Sequence, residues 1–139
     1  MAANTQPIFI IKGNFTPSRI AAANTASDGS GALVTVVTAG ADGTRVDGVR
    51  FRNSQVTPAA SSAMVQRIFL SDTGGANYRL IGEVATAAAT RSASAIGATS
   101  IYTFDQPIIM RSGQIMAVCQ SVYAGVQDQV DACAFAGDY

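Results

Sequence analysis

The stretch Asp47-Gly48-Val49-Arg50-Phe51-Arg52 alternates apolar and charged side chains, with Val49 and Phe51 on one side and Arg50 and Arg52 on the other. Side chains that alternate with a period of two belong to a β-strand with one buried and one wet face. The same period, bounded by Gly, Asp, Asn, Ser and Pro, recurs along the chain, and no long segment sustains a 3.6-residue apolar period with caps. The pattern places strands at residues 7–13, 32–39, 45–53, 63–71, 78–86, 100–106, 114–122 and 131–137. The chain therefore reads as all-β. At 139 residues it has room for one ordinary domain. Eight strands suit an antiparallel β-sandwich of two four-stranded sheets, preceded by a short extended N-terminal arm, residues 1–7.

The connections carry turn chemistry. Ala39-Gly40-Ala41-Asp42-Gly43-Thr44, Ser71-Asp72-Thr73-Gly74-Gly75-Ala76-Asn77 and Ala124-Gly125-Val126-Gln127-Asp128 each separate two apolar runs, so each is expected to close a local hairpin. Two stretches resist a strand reading. Residues 14–31 form a long crossing connection with room for a helical turn at 19–23, and residues 87–99 form a loop of small residues.

Two segments are apolar on both alternating sets: Gln114-Ile115-Met116-Ala117-Val118-Cys119 and Asp131-Ala132-Cys133-Ala134-Phe135-Ala136. A sandwich covers one face of each strand, so a second cover is required, and another copy of the chain is the simplest source. The residues expected at that contact are Met116, Val118, Ala132, Ala134 and Ala136, in a homo-oligomer for which a trimer is favoured.

Cys119 and Cys133 lie seven residues either side of Val126. A symmetric hairpin would oppose them at disulfide distance, but with no His or Lys to activate either thiol, they read as small buried residues. The loop carboxylates Asp28, Asp42, Asp72, Asp128 and Asp131 are accounted for by turn geometry. Arg50, Arg52, Arg67, Arg79 and Arg91 read as a solvated face or as interface anchors.

Composition excludes much chemistry. With no His, the Ser-His-Asp and Cys-His nucleophiles and His-ligated zinc each lack a necessary part. Lys12 stands in no phosphate-loop frame. No metal and no cofactor are expected, and no enzymatic residue set is evident. Nine basic against nine acidic residues give zero formal charge, which removes the electrostatic footprint of a nucleic-acid binder. Charged residues are only 13%, half the usual share, which suits a surface covered by partners. No membrane span and no signal peptide are read, and synthesis in a cytoplasm is the expectation.

Three stretches together resemble small structural proteins of tailed bacteriophages, in particular capsid decoration (cement) proteins: Asn4-Thr5-Gln6-Pro7-Ile8-Phe9-Ile10, the run from Gly31 to Val46, and Phe135-Ala136-Gly137-Asp138-Tyr139. The resemblance implies a jelly-roll-like sandwich on the outside of a virion head, binding the major capsid protein and stabilising the shell. The expected hairpins suggest a more sequential meander than a strict jelly roll. The capsid-contact candidates are Asn4, Thr5, Gln6, Pro7 and Arg91, from the arm and the 87–99 loop. A carbohydrate-binding or fibre-tip module is the alternative, since jelly rolls also serve as lectins, although Trp is absent.

Overall fold

The computed structural model describes residues 9–55 and 59–139. Among them are nine strands: β1 (Lys12–Gly13), β2 (Ser18–Ile20), β3 (Val34–Thr38), β4 (Thr44–Asn53), β5 (Met64–Asp72), β6 (Ala76–Thr86), β7 (Thr99–Met110), β8 (Ile115–Gln120) and β9 (Val130–Asp138). They form two antiparallel sheets. One runs β1-β9-β4-β7, with β2 also paired to β9, and the other runs β3-β8-β5-β6. The fold is all-β and a β-sandwich, as the period-two pattern predicts, with nine strands where eight were expected.

The topology follows from one fold-back. β5 and β6 join through the tight turn at residues 73–75, with Asp72 opposite Ala76. Outward from that turn, β4 pairs β7, β3 pairs β8 and β2 pairs β9, all antiparallel. The chain is thus one long hairpin rolled up, and the roll is closed by β4 against β9 and β5 against β8. This is the jelly-roll order. The expected meander is corrected accordingly. Only the 71–77 turn makes a hairpin, because residues 39–43 carry the chain from one sheet to the other, and so do residues 121–129, which include a single 3-10 turn at Val126–Asp128.

Two further expectations change. The helical turn at 19–23 is replaced by β2, which the N-terminal half of β9 captures as an edge partner, Ser18 opposite Ala132 and Ile20 opposite Val130. Edge pairing of this kind overrides local propensity. Cys119 and Cys133 do not oppose each other. Their strands lie in different sheets, and both thiols are free.

The core lies between the sheets and is built from Val36, Val46, Val49, Phe51, Ile68, Met110, Met116, Val118, Ala132 and Ala134, among others. Phe51 and Val49 face inward, as their alternation with Arg50 and Arg52 requires. At one end of the sandwich the core turns polar. Asp128, wholly buried, accepts hydrogen bonds from the Ser62 N–H (2.7 Å), the Ser62 hydroxyl (3.1 Å) and the Ala124 N–H (2.7 Å), and so ties two loops together. Beside it Gln120 donates to the carbonyls of Val122 and Asp128, and Gln66 accepts from Thr86.

The second face of β8 is covered from within the chain. Ala117 and Cys119 point away from the core yet are buried, and the loop of residues 24–31 starts over Cys119 and reaches Tyr78 on β6. Asn24 sets its N–H on the Gln120 carbonyl at 2.8 Å, and its own carbonyl receives the Cys119 thiol. Arg67 clamps this loop to the sheet, donating to the Asn24 and Thr25 carbonyls while pairing with Glu83 at 2.7 Å. The Asn24 amide holds the loop closed through the Ser30 and Ala32 carbonyls.

Because Met116 is a core residue of one chain, Met116→Ala is expected to lower the unfolding free energy by about 2–5 kcal/mol. Denaturant titration should give the same midpoint shift at all protein concentrations. A shift that vanishes on dilution would assign Met116 to an intersubunit contact instead.

Candidate interaction surface

Strand alternation defines what the five-stranded sheet presents to solvent. β9 turns out Asp131, Cys133, Phe135 and Gly137. In register across β4 stand Arg52, Arg50, Gly48 and Arg45, and across β7 stand Thr99, Ile101, Thr103 and Ile109. Four rows of three residues result. The middle of the third row is flat because Gly48 has no side chain, and a Cβ there would collide with the Tyr102 carbonyl. Beyond β9, Ile10 lies over Gly137. Ile10, Phe15, Phe135, Cys133, Asp47 and Arg50 line a shallow groove of about 500 Å³.

No segment of the described chain crosses this face as residues 24–31 cross the other. Phe135, Ile101, Ile109 and Phe15 are exposed, and Ile101 and Ile109 are each more than half so. Its charges divide unevenly along the strands. Arg19 pairs with Asp131 at 2.9 Å near one end, and Arg45 pairs with Asp47 at 2.8 Å toward the other. Arg50 and Arg52 are exposed, on the Asp131 side.

The residues expected at an oligomer contact lie elsewhere. Met116, Val118, Ala132 and Ala134 are buried in the sandwich core, and Ala136 packs against it. The double apolar pattern that singled them out is met by the core on one side. On the other side it is met by the 24–31 loop for β8, and by the open face just described for β9. Of the capsid-contact candidates, Asn4, Thr5, Gln6 and Pro7 lie outside the described residues. Arg91 donates to the Gln55 carbonyl at 3.1 Å, which anchors its loop to the sandwich. That loop, residues 87–98, is pinned further by Ala60 against Thr90, by Ser61 to Ala89 and by the Asn53 N–H to the Ala98 carbonyl, leaving Ile96 three-quarters exposed.

Sequence reading passed over Ile101 and Ile109. The signal was present in Ile101-Tyr102-Thr103-Phe104, where apolar residues occupy both alternating sets. Tyr102 and Phe104 pack inward, edge to face, with ring centroids 5.2 Å apart, so Ile101 turns outward.

The loop carboxylates fasten turns and neighbouring strands, through backbone N–H groups at Asp28 and Asp128 and through side chains at Asp72 and Asp131. Asp28 accepts from Ser30, Asp72 from Asn77, and Asp128 and Asp131 diverge to their separate partners. Among the described residues no group of three or more Cys, Asp and Glu side chains is placed to hold a metal ion. Near the C-terminus Asp138 fastens three segments at once. Its carboxylate accepts from Thr44 and from the Asn14 amide at 2.5 Å, and that amide also donates to the Thr38 carbonyl at 2.8 Å.

No protein-family model matches the chain, and no curated protein matches its sequence.

Of the three carboxylates held below their usual range among the described residues, Asp28 is held down by Ser30 within its own loop, whereas Asp131 and Asp138 tie distant segments together and make stability depend on pH. The Arg19 guanidinium, through its hydrogen bond, holds Asp131 below the usual carboxylate range. For Asp138 burial alone would raise the value, but the Thr44 hydroxyl, the Asn14 amide and the Gly40 N–H together hold it below. A depressed folded pKa stabilises above the unfolded value of about 3.9 and is lost as pH falls through the folded one. The melting temperature is therefore expected to hold from pH 7 to about pH 5 and to fall below about pH 4. Asp138→Asn should melt lower at neutral pH and show a shallower acid decline. An equally steep decline in that variant would remove Asp138 from the account.

Proposed function

We propose that this chain is a structural protein of a tailed-phage virion that decorates the outside of the head, binds the major capsid protein and reinforces the shell. The resemblance of its terminal sequences and of the run from Gly31 to Val46 supports this reading, and so does the jelly-roll order, an architecture used by viral coat proteins. It would be made in the host cytoplasm and reside on the capsid surface.

The observation that carries the reading is the placement of two exposed apolar elements at opposite ends of the sandwich. Phe9, Ile10 and Ile11 lie where β9 ends and β4 begins, and lead back toward residues 1–8. Ile96 tips the 87–98 loop at the other end, where β4 ends and β9 begins. Ten-residue β4 separates the two by about 30 Å at ~3.3 Å per residue. A reinforcing protein must hold two subunits at once, and a rigid spacer with a contact at each end meets that need. Binding the assembled shell more tightly than free subunits then stabilises it by linkage. An extended N-terminal segment can pair with a strand edge, adding main-chain hydrogen bonds without any demand for charge.

Purified chain should bind heads that lack it, and heads so decorated should survive heat and low salt better than bare ones. Deletion of residues 1–7 and Ile96→Asp should each weaken binding at least about tenfold, the loss of one anchor residue or segment, with the circular dichroism unchanged. Failure of the intact chain to bind heads, or equal robustness of bare and decorated heads, would overturn the reading.

A further inference from the structure

The four-stranded sheet has its outer face roofed by residues 24–31, whereas the five-stranded sheet leaves Phe135, Ile101, Ile109 and Phe15 in solvent. Exposed Phe and Ile side chains gathered on one sheet face and interspersed with arginines mark an interaction surface. We propose that a second copy of this chain packs face to face on the outer surface of the five-stranded sheet, related by a two-fold axis that lies in the interface and runs across the strands.

The charges select this occupant and this axis. Arg50 and Arg52 lie in the rows toward Asp131, and among the described residues neither has an acidic partner. Toward the other end stand Asp47, paired with Arg45, and Asp105. Asp105 follows inward-facing Phe104 and so turns outward by alternation, exposed and unpartnered. A two-fold axis along β4 would set Arg50 and Arg52 against themselves. An axis across the strands reverses the row order, so the Arg50 end of each copy meets the end that carries Asp105 and the Arg45–Asp47 pair, and Arg52 comes over an Arg45 already neutralised by Asp47. With zero net charge, two copies approach without mutual repulsion.

Shape agrees with charge. When the axis passes between the second and third rows, each Phe135 comes over the small Cys133 of the facing copy. Each Arg50 then comes over the bare Gly48, with Asp47 and Asp105 beside it. Stacked sheets pack about 10 Å apart, a spacing filled by one large residue against one small. Four strands at ~4.8 Å by ten residues at ~3.3 Å cover roughly 600 Å² of sheet, near the ~800 Å² per partner of a standard specific interface. The proposal concerns the isolated protein and does not depend on the virion reading.

Sedimentation equilibrium of the whole purified chain tests it. The wild type should be a dimer at micromolar concentration. Phe135→Asp and, independently, Ile101→Asp should each raise the dissociation constant at least about tenfold while keeping the circular dichroism of the parent. Arg50→Asp and Asp105→Arg should each weaken the dimer, and the two together should restore most of the loss, since each pair then meets with its signs exchanged. A wild-type monomer at high micromolar concentration, or a trimer, would overturn the proposal. So would folded Phe135→Asp and Ile101→Asp variants that associate as the parent does, or a double charge exchange that restores nothing.

Discussion

A two-layer sandwich has four sheet faces and only one interior, so half of the sheet surface needs some other cover. In this protein the interior takes Phe51, Val49, Met116, Val118 and the inward alanines of β9. The outer face of the four-stranded sheet is then roofed by the connection between β2 and β3, held down by Arg67 and by Asn24. No described segment roofs the remaining face, and its isoleucines and phenylalanines stay in solvent. That face also carries Arg45, Asp47, Arg50, Arg52, Asp105 and Asp131, so its apolar side chains stand among charges. The asymmetry between the two outer faces directs attention to surfaces rather than to a pocket.

Asp128 and Asp138 show how the roll is held at its two ends. Each gathers segments far apart in sequence: Asp128 joins the loop before β5 to the one after β8, and Asp138 joins residue 14 to the start of β4. Among the described residues neither forms an ion pair, and Lys12, opposite Asp138 across β1 and β9, adds only a lesser electrostatic attraction. Both saturate their oxygens with hydroxyl, amide and backbone N–H donors, which suits a chain with one lysine and nine acidic side chains. Hydrogen bonds of this kind to a charged acceptor are among the stronger polar contributions to stability.

The strands were legible because period-two alternation is local, and β4 and β5 match their predicted ranges to within a residue at each end. What the strands pair with was not legible. A short glycine-bearing loop looks the same whether it returns within a sheet or crosses to the other, so the stretches at 39–44 and 124–128 read as hairpin turns. β2 was hidden for a related reason, since it is a strand only because β9, more than 100 residues away, accepts it: Arg19 meets Asp131 across a separation of 112. The double apolar faces of β8 and β9 pointed to a second cover from another copy; for β8 the chain's own loop from Asn24 supplies one, which a sequence does not reveal, and for β9 no described segment does. The exposed face was partly visible in β7, whose inward aromatics leave Ile101 no place but outside.

Thiol labelling of the native chain tests the central claim, that one outer face is roofed by the chain itself and the other is open. Cys119 lies under the 24–31 loop, and burial pushes its thiol pKa up, which further reduces its reactivity. Cys133 lies in the groove on the open face, partly exposed. With dilute native protein and a small alkylating reagent, followed by peptide mapping, Cys133 should be modified fully while Cys119 reacts only after unfolding. Equal labelling of both, or preferential labelling of Cys119, would contradict the account.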